Sequence, residues 1–201
     1  MKPAAASPPS RRGRPRSQKA RLATLAATAQ LVLERGDVRV SMDAVAEHAG
    51  VSKATIYRWW PSKEMLVLEA LKDWVTFGVV ERDTGTLRGD LLALVVSWVR
   101  EIRRRPFGRL IASLVAEAQA NPEFASAYHA HFFNLRREPA RAVFERAMAR
   151  GEAPQDLDVE AAIDFVFGPM YHRLLHGHAP LSERYARDVV DCALSGILTT
   201  R

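Results

Sequence analysis

Apolar residues recur at helical spacing along most of the chain. Leu22, Leu25, Ala26, Ala29 and Leu33 trace one face of a helix that begins near Ser17 and ends at Arg35-Gly36-Asp37. A compact, strongly punctuated unit follows. Ser41 is suited to cap a helix, Asp43 sits in its first turn where the dipole favours an acid, and Val45, Ala46 and Ala49 form its apolar face. Gly50 stops it. Ser52 caps a second short helix over 53–59, Pro61 breaks that one, and Ser62 caps a third that the pattern carries to about Arg82.

Beyond the loop Thr84-Gly85-Thr86, the pattern predicts helices over 87–104 and 107–120, separated by Pro106. Asn121-Pro122 restarts the chain for a stretch over 123–149, which Pro139 should kink or divide. A loop over 151–156 and two last helices, 159–176 and 182–199, complete the reading. Strand signals are scarce and Ala, Leu, Arg and Glu dominate, so the fold class is all-α, with no internal repeat.

Composition changes this picture mainly through charge. The formal net charge is +6, and the first 20 residues hold Lys2, Arg11, Arg12, Arg14, Arg16 and Lys19 with no acid, which leaves 23 basic and 23 acidic groups in the rest. The whole excess therefore lies in the first 20 residues, five of its six charges in a Pro-, Ala- and Ser-rich basic arm, 1–16, read as disordered and suited to a polyanion. Arg12-Gly13-Arg14-Pro15-Arg16 has the Arg-Gly-Arg-Pro core of AT-hook peptides, whose extended strand fits a narrow A·T minor groove. The single cysteine, Cys192, lies in an apolar stripe and reads as a small buried hydrophobe; it excludes an internal disulfide framework and suits a reducing cytoplasm. No stretch reads as a membrane span or a secretory signal, so the expected location is cytoplasmic and nucleoid-associated.

Two short helices joined through Gly50 fit a helix-turn-helix at about 41–60. Gly tolerates the positive φ the turn needs, and Ala46 lets the helices approach. Val45, Val51 and Ile56 fill the small core between them. Ser52, Lys53, Ala54, Thr55, Tyr57 and Arg58 then offer hydroxyls, cations and a small side chain on the outer side, suitable for major-groove and phosphate contacts.

The stretch from Val51 through Ile56-Tyr57-Arg58-Trp59-Trp60 and Lys63-Glu64 to Leu66 strongly resembles the tetracycline-repressor (TetR) family of bacterial regulators, and the match extends over residues 17–66. The resemblance implies a three-helix DNA-binding domain over 17–66 and a helical effector-binding and dimerisation domain over 67–201. It implies that Ser41 touches a phosphate, that 52–58 carry the recognition face, and that Lys63 meets the DNA backbone. Tandem tryptophans stand where many relatives have His and Phe; they suit core or hinge packing, although Trp59 is also placed to lean on a sugar-phosphate.

By the same resemblance the last two helices pair with those of a twofold mate. Ile163, Val166, Phe167, Met170 and Leu174 form one stripe there, and Val189, Val190, Ala193, Gly196 and Ile197 another. Trp74, Phe77, Trp98, Phe107, Phe124, Tyr128, Phe132 and Phe165 supply aromatic lining for an effector pocket that would take a small apolar or aromatic molecule. Expected partners are operator DNA, such an effector and a second copy of the chain, with no membrane, no cofactor and no metal. His172, His176 and His178 gather near a helix end, where dipole compensation explains them better than metal binding. The leading reading is a repressor released by its effector. The alternatives are an A·T-preferring architectural protein without an effector and a small helical metalloenzyme.

Overall fold

The structure, a computed structural model, describes residues 14–72, 81–104 and 106–197. Its helices are α1 Arg14–Arg35, α2 Met42–Ala49, α3 Lys53–Tyr57, α4 Lys63–Ala70, α5 Leu87–Arg103, α6 Phe107–Ala120, α7 Pro122–Tyr128, α8 Asn134–Ala149, α9 Val159–His176 and α10 Glu183–Ile197. Among the described residues there is no strand, and no helix is long and apolar enough to cross a membrane.

The first four helices form a head in which α1 packs on α2, α3 and α4. Val32, Val45, Ile56 and Leu66 fill its centre, each fully shielded from solvent. The second part packs α5 against α8 and α10, α6 against α7, and α9 against α8 and α10. One buried apolar cluster runs through both parts. They also meet through polar contacts. The Ser113 hydroxyl of α6 donates to Asp37 Oδ1 at 2.8 Å and accepts the Val38 N–H at 3.1 Å. Within the second part, the fully buried Asp90 of α5 accepts the Thr84 N–H and hydroxyl at 2.6 and 2.7 Å and Arg150 Nη2 at 3.1 Å, satisfying a charge that burial alone would disfavour.

Several boundaries differ from the sequence pattern. α1 starts at Arg14, so Arg14, Pro15 and Arg16 belong to its first turn and not to a disordered arm. A proline is tolerated there because the first helical N–H groups have no intrahelical acceptor. α4 closes at Ala70, where the Leu71 N–H turns back on the carbonyls of Val67 and Glu69, and residues 81–84 are not helical. The expected helix to Arg82 otherwise falls on 73–80, outside the described residues.

The stretch over 123–149 does not divide at Pro139, which lies inside α8. The irregularity is a π turn, His129–Phe133, between α7 and α8. Its cause is visible in the spacing. Phe124, Tyr128, Phe132, Ala140 and Phe144, all buried, are spaced in multiples of four residues, and each step of four drifts by about 40° around a regular α-helix. One wide turn takes up part of that drift and keeps the apolar residues on the core side.

The candidate nucleic-acid interface and the cleft behind it

The helix-turn-helix is built as its residue types require. The Ser41 hydroxyl caps α2 by accepting the Ala44 N–H at 3.1 Å. Gly50 ends α2 in the left-handed region at φ 64°, its N–H reaching the Glu47 carbonyl at 3.2 Å while the Val51 N–H reaches Ala46 at 3.0 Å. These bonds satisfy the last carbonyls of α2 and turn the chain into α3. Ser52 caps α3, accepting the Thr55 N–H at 3.2 Å, with its hydroxyl 2.9 Å from that of Thr55.

The sequence-predicted recognition residues lie together on one surface. Ser52, Lys53, Ala54, Tyr57 and Arg58 are exposed and Thr55 is half-buried, while Ile56 between them is wholly buried and anchors the helix. Ser41 is exposed at the start of α2, and Lys63 is half-buried at the start of α4, 3.8 Å from Glu64. Lys53 is already paired: its Nζ lies 2.8 Å from Asp43 Oδ1 of α2, a contact that raises its pKa, mainly through the hydrogen bond. α3 is shorter than expected and ends at Tyr57. Of the basic arm, Arg12 lies outside the described residues. Because Arg14 and Arg16 are helical in backbone, that half of the Arg-Gly-Arg-Pro peptide is not an extended strand here.

The tandem tryptophans divide their roles. Trp60 is 1% exposed and donates its indole N–H to Glu69 Oε2 of α4 at 2.6 Å. Trp59 is 38% exposed beside the recognition surface. Arg21 of α1 pairs with Glu69 Oε1 and lies over both rings, at 5.6 and 5.8 Å. Arg21 and Glu69 were not predicted; a buried indole N–H requires an acceptor, and that requirement was the available signal. The turn before the head meets α6 is held by Asp37, whose carboxyl stays well below the usual carboxylate range, chiefly through its hydrogen bonds from the Arg39 side chain.

In the second part, a cleft opens between α5, α6, the π turn, α8 and α9. Its inner cavity, about 50 Å³, is walled by Trp98, Phe133, Phe167 and Tyr171 with Arg136 and Arg137. The outer cavity, about 320 Å³, shares Phe133, Arg137, Phe167 and Tyr171 and adds Tyr128 and Asp164. Trp98 packs edge-on against Phe167 at 6.0 Å and tilted against Tyr171 at 5.4 Å.

Of the expected lining, Trp98 and Tyr128 border this cleft. Phe124 and Phe132 are core, and Phe107 borders a smaller cavity together with Phe132. Phe165 is 59% exposed and faces away, because it sits one residue short of the buried Val166. Trp74 and Phe77 lie outside the described residues. Phe133, Phe167 and Tyr171, with Arg136 and Arg137, line the cleft and were not among the residues expected to do so.

The stripes on the last two helices are largely core of the protomer. Ile163, Val166 and Met170 of α9 and Val189, Val190 and Ala193 of α10 are buried within the protomer. The outward faces carry instead Phe165, Gly168, His172 and Leu175 on α9, and Cys192 and Gly196 on α10. Cys192 is therefore exposed and not a buried hydrophobe; it falls on the side of α10 opposite Val190 and Ala193. His172 lies 4.6 Å from His176 and 5.0 Å from His178 between ring centres, but the described residues hold no group of three or more ligands suited to a metal.

Comparison with known proteins agrees with this architecture. Residues 25–70 match the model described as bacterial regulatory proteins, tetR family, and residues 81–193 match the tetracyclin repressor-like C-terminal domain. The chain is 35% identical to the uncharacterized HTH-type transcriptional regulator YdeS of Bacillus subtilis (strain 168) over 191 residues, 95% of this chain and 96% of that one. It is 34% identical to the DNA-binding transcriptional repressor TetR of Mycobacteroides abscessus over 173 residues, covering 86% and 90% of the two chains. The crystal structure of the TetR family transcription regulator SCO0332 superimposes with a TM-score of 0.75 at 33% identity, covering 89% of this chain and 98% of that one. Helix-turn-helix head, helical second part and matched relatives agree: the chain belongs to the TetR family of bacterial transcriptional regulators.

Proposed function

We propose that the chain is a homodimeric repressor that leaves its operator when a small apolar or aromatic molecule enters the cleft lined by Trp98, Phe133, Phe167 and Tyr171. The observation that carries this reading is the position of the cleft. Its wall includes the π turn, and the opposite side of that segment faces the head: Ala127, His131 and Leu135 form a groove with Met65, Leu68 and Glu69 of α4. α4 in turn holds Trp60 through Glu69. A molecule that moves the π turn thus has a short mechanical route to the recognition surface. Release follows if the occupied form holds the two recognition helices at a spacing that no longer fits two half-sites about one DNA turn apart. The exposed faces of α9 and α10 are the surfaces assigned to the second copy.

The test is a fluorescence-anisotropy titration against DNA from upstream of the chain's own gene, beside a scrambled duplex, at two salt concentrations. Binding that is orders of magnitude tighter to the native duplex, at dimer stoichiometry, supports an operator-specific regulator. Equal and strongly salt-dependent binding to both duplexes moves the reading to an A·T-preferring architectural protein.

A further inference from the structure

The recognition surface carries a charge of the wrong sign for DNA. Residues 50–63 hold no acid, yet Asp43 of α2 meets Lys53, the first residue of α3, with Lys53 Nζ 2.8 Å from Asp43 Oδ1. Both side chains stand in solvent, Lys53 at 52% and Asp43 at 77% exposed. Local structure does not ask for this contact. Ser41 already caps α2 through the Ala44 N–H. The dipole of α2 favours an acid in its first turn, but it does not require that acid to meet the recognition helix. An ion pair this exposed adds little to stability.

Beside a row of phosphates the carboxylate is repelled, so Asp43 lowers the affinity for any duplex that offers it no donor. Lys53 offsets part of that repulsion. It also holds the carboxylate at the start of α3, the end of a recognition helix whose side chains meet base edges in the major groove. A carboxylate only accepts, and the groove presents two kinds of amino donor, cytosine N4 and adenine N6. Adenine sets its N7 acceptor next to the amino group, where it repels a carboxylate. Cytosine sets a C–H there, so cytosine is the better match.

We propose that Asp43 is a base-reading residue: its carboxylate, held by Lys53, accepts the N4 amino group of a cytosine in each operator half-site. The remaining N–H donors of Lys53 meet a phosphate. Asp43 thus works in both directions, gaining a donor on the correct site and repelled on every other. This rests on the reading of the chain as an operator-specific DNA binder and adds to it one residue outside α3 and the base it reads.

The full-length protein, Asp43→Ala and Asp43→Asn are each used to select duplexes from a randomised pool. The site enriched by the wild type is then changed one base pair at a time and titrated by fluorescence anisotropy, with thermal melting showing that the variants fold. The wild type should prefer cytosine at one position of each half-site by about tenfold. Asp43→Ala should lose the preference at that position and keep the others. Asp43→Asn should turn it towards adenine, whose N6 and N7 match a carboxamide. Base preferences that neither variant alters, or a change in affinity that is uniform across all duplexes, overturn the proposal and leave the operator reading standing. So does a lost preference for a base other than cytosine, or an Asp43→Asn protein that keeps the full wild-type margin for cytosine. A wild type that enriches no sequence overturns both.

Discussion

Glu69→Ala removes the carboxylate that receives the Trp60 indole N–H at 2.6 Å and also pairs with Arg21. Trp60 is 1% exposed, so its orphaned donor has almost no access to water. Leaving a buried N–H unpaired costs about 1–3 kcal/mol. The Arg21–Glu69 pair, with side chains 29% and 34% exposed, adds less than about 1 kcal/mol. The expected loss of folding stability is therefore about 2–3 kcal/mol. Glu69→Gln keeps an acceptor and should lose only about 1 kcal/mol, the difference between a charged and a neutral acceptor. In a Trp60→Phe background the donor is already gone, and Glu69→Ala should cost little more than the Arg21 pair. The coupling between positions 60 and 69 should thus reach about 1–2 kcal/mol. Urea unfolding of the four proteins at one fixed concentration measures it, the fixed concentration being needed because association contributes to stability. A coupling below about 0.5 kcal/mol would refute the assignment of this contact as the tie between α3 and α4.

Gly50→Ala should cost about 1–2 kcal/mol from the left-handed backbone alone, since an added Cβ meets nothing within 4 Å; a larger loss by urea unfolding would mean that the turn is sterically closed. Lys53→Gln should weaken operator binding and lower the slope of log affinity against log salt by about 1, read by anisotropy; an unchanged slope would show that Lys53 makes no phosphate contact. Asp37 has a depressed pKa in the fold, so its contribution is present above its ordinary value of 3.8 and fades as pH falls below it. The stability gap between wild type and Asp37→Asn should therefore shrink on acidification through that value, and a gap that widens would reverse the sign of the argument.

The head was legible because its signals are local. Ser41, Gly50, Ser52 and Ser62 each act on backbone groups within a few residues, and all four do in the structure what their types suggest. The bounds of α6 followed in the same way, from Pro106 on one side and the Asn121-Pro122 restart on the other. What lay beyond the pattern depends on how helices rotate against one another. A stripe such as Ile163, Val166 and Met170 records that one face is buried, and it cannot say whether the burial is within the protomer or against a second copy. Phe165 and Cys192 were misplaced for the same reason: composition marks them as apolar, but one step of about 100° separates the core from the surface. Arg21 meeting Glu69 spans two helices far apart in sequence, and no periodicity reports such a pair.

The π turn has a meaning for chain length as well as for geometry. A wide turn takes more residues than a regular α-helical turn, so it shifts the rotation of everything that follows it. Downstream of it, the whole of α8 is rotated relative to α7, and that rotation brings Arg136 and Arg137 to the same cleft as Tyr128. The chemistry of the cleft is consequently encoded in a length and not only in residue identities. A relative that keeps every cleft side chain but lacks the wide turn would present a different set of groups to its ligand, so alignments across 129–133 carry more information in their gaps than in their substitutions.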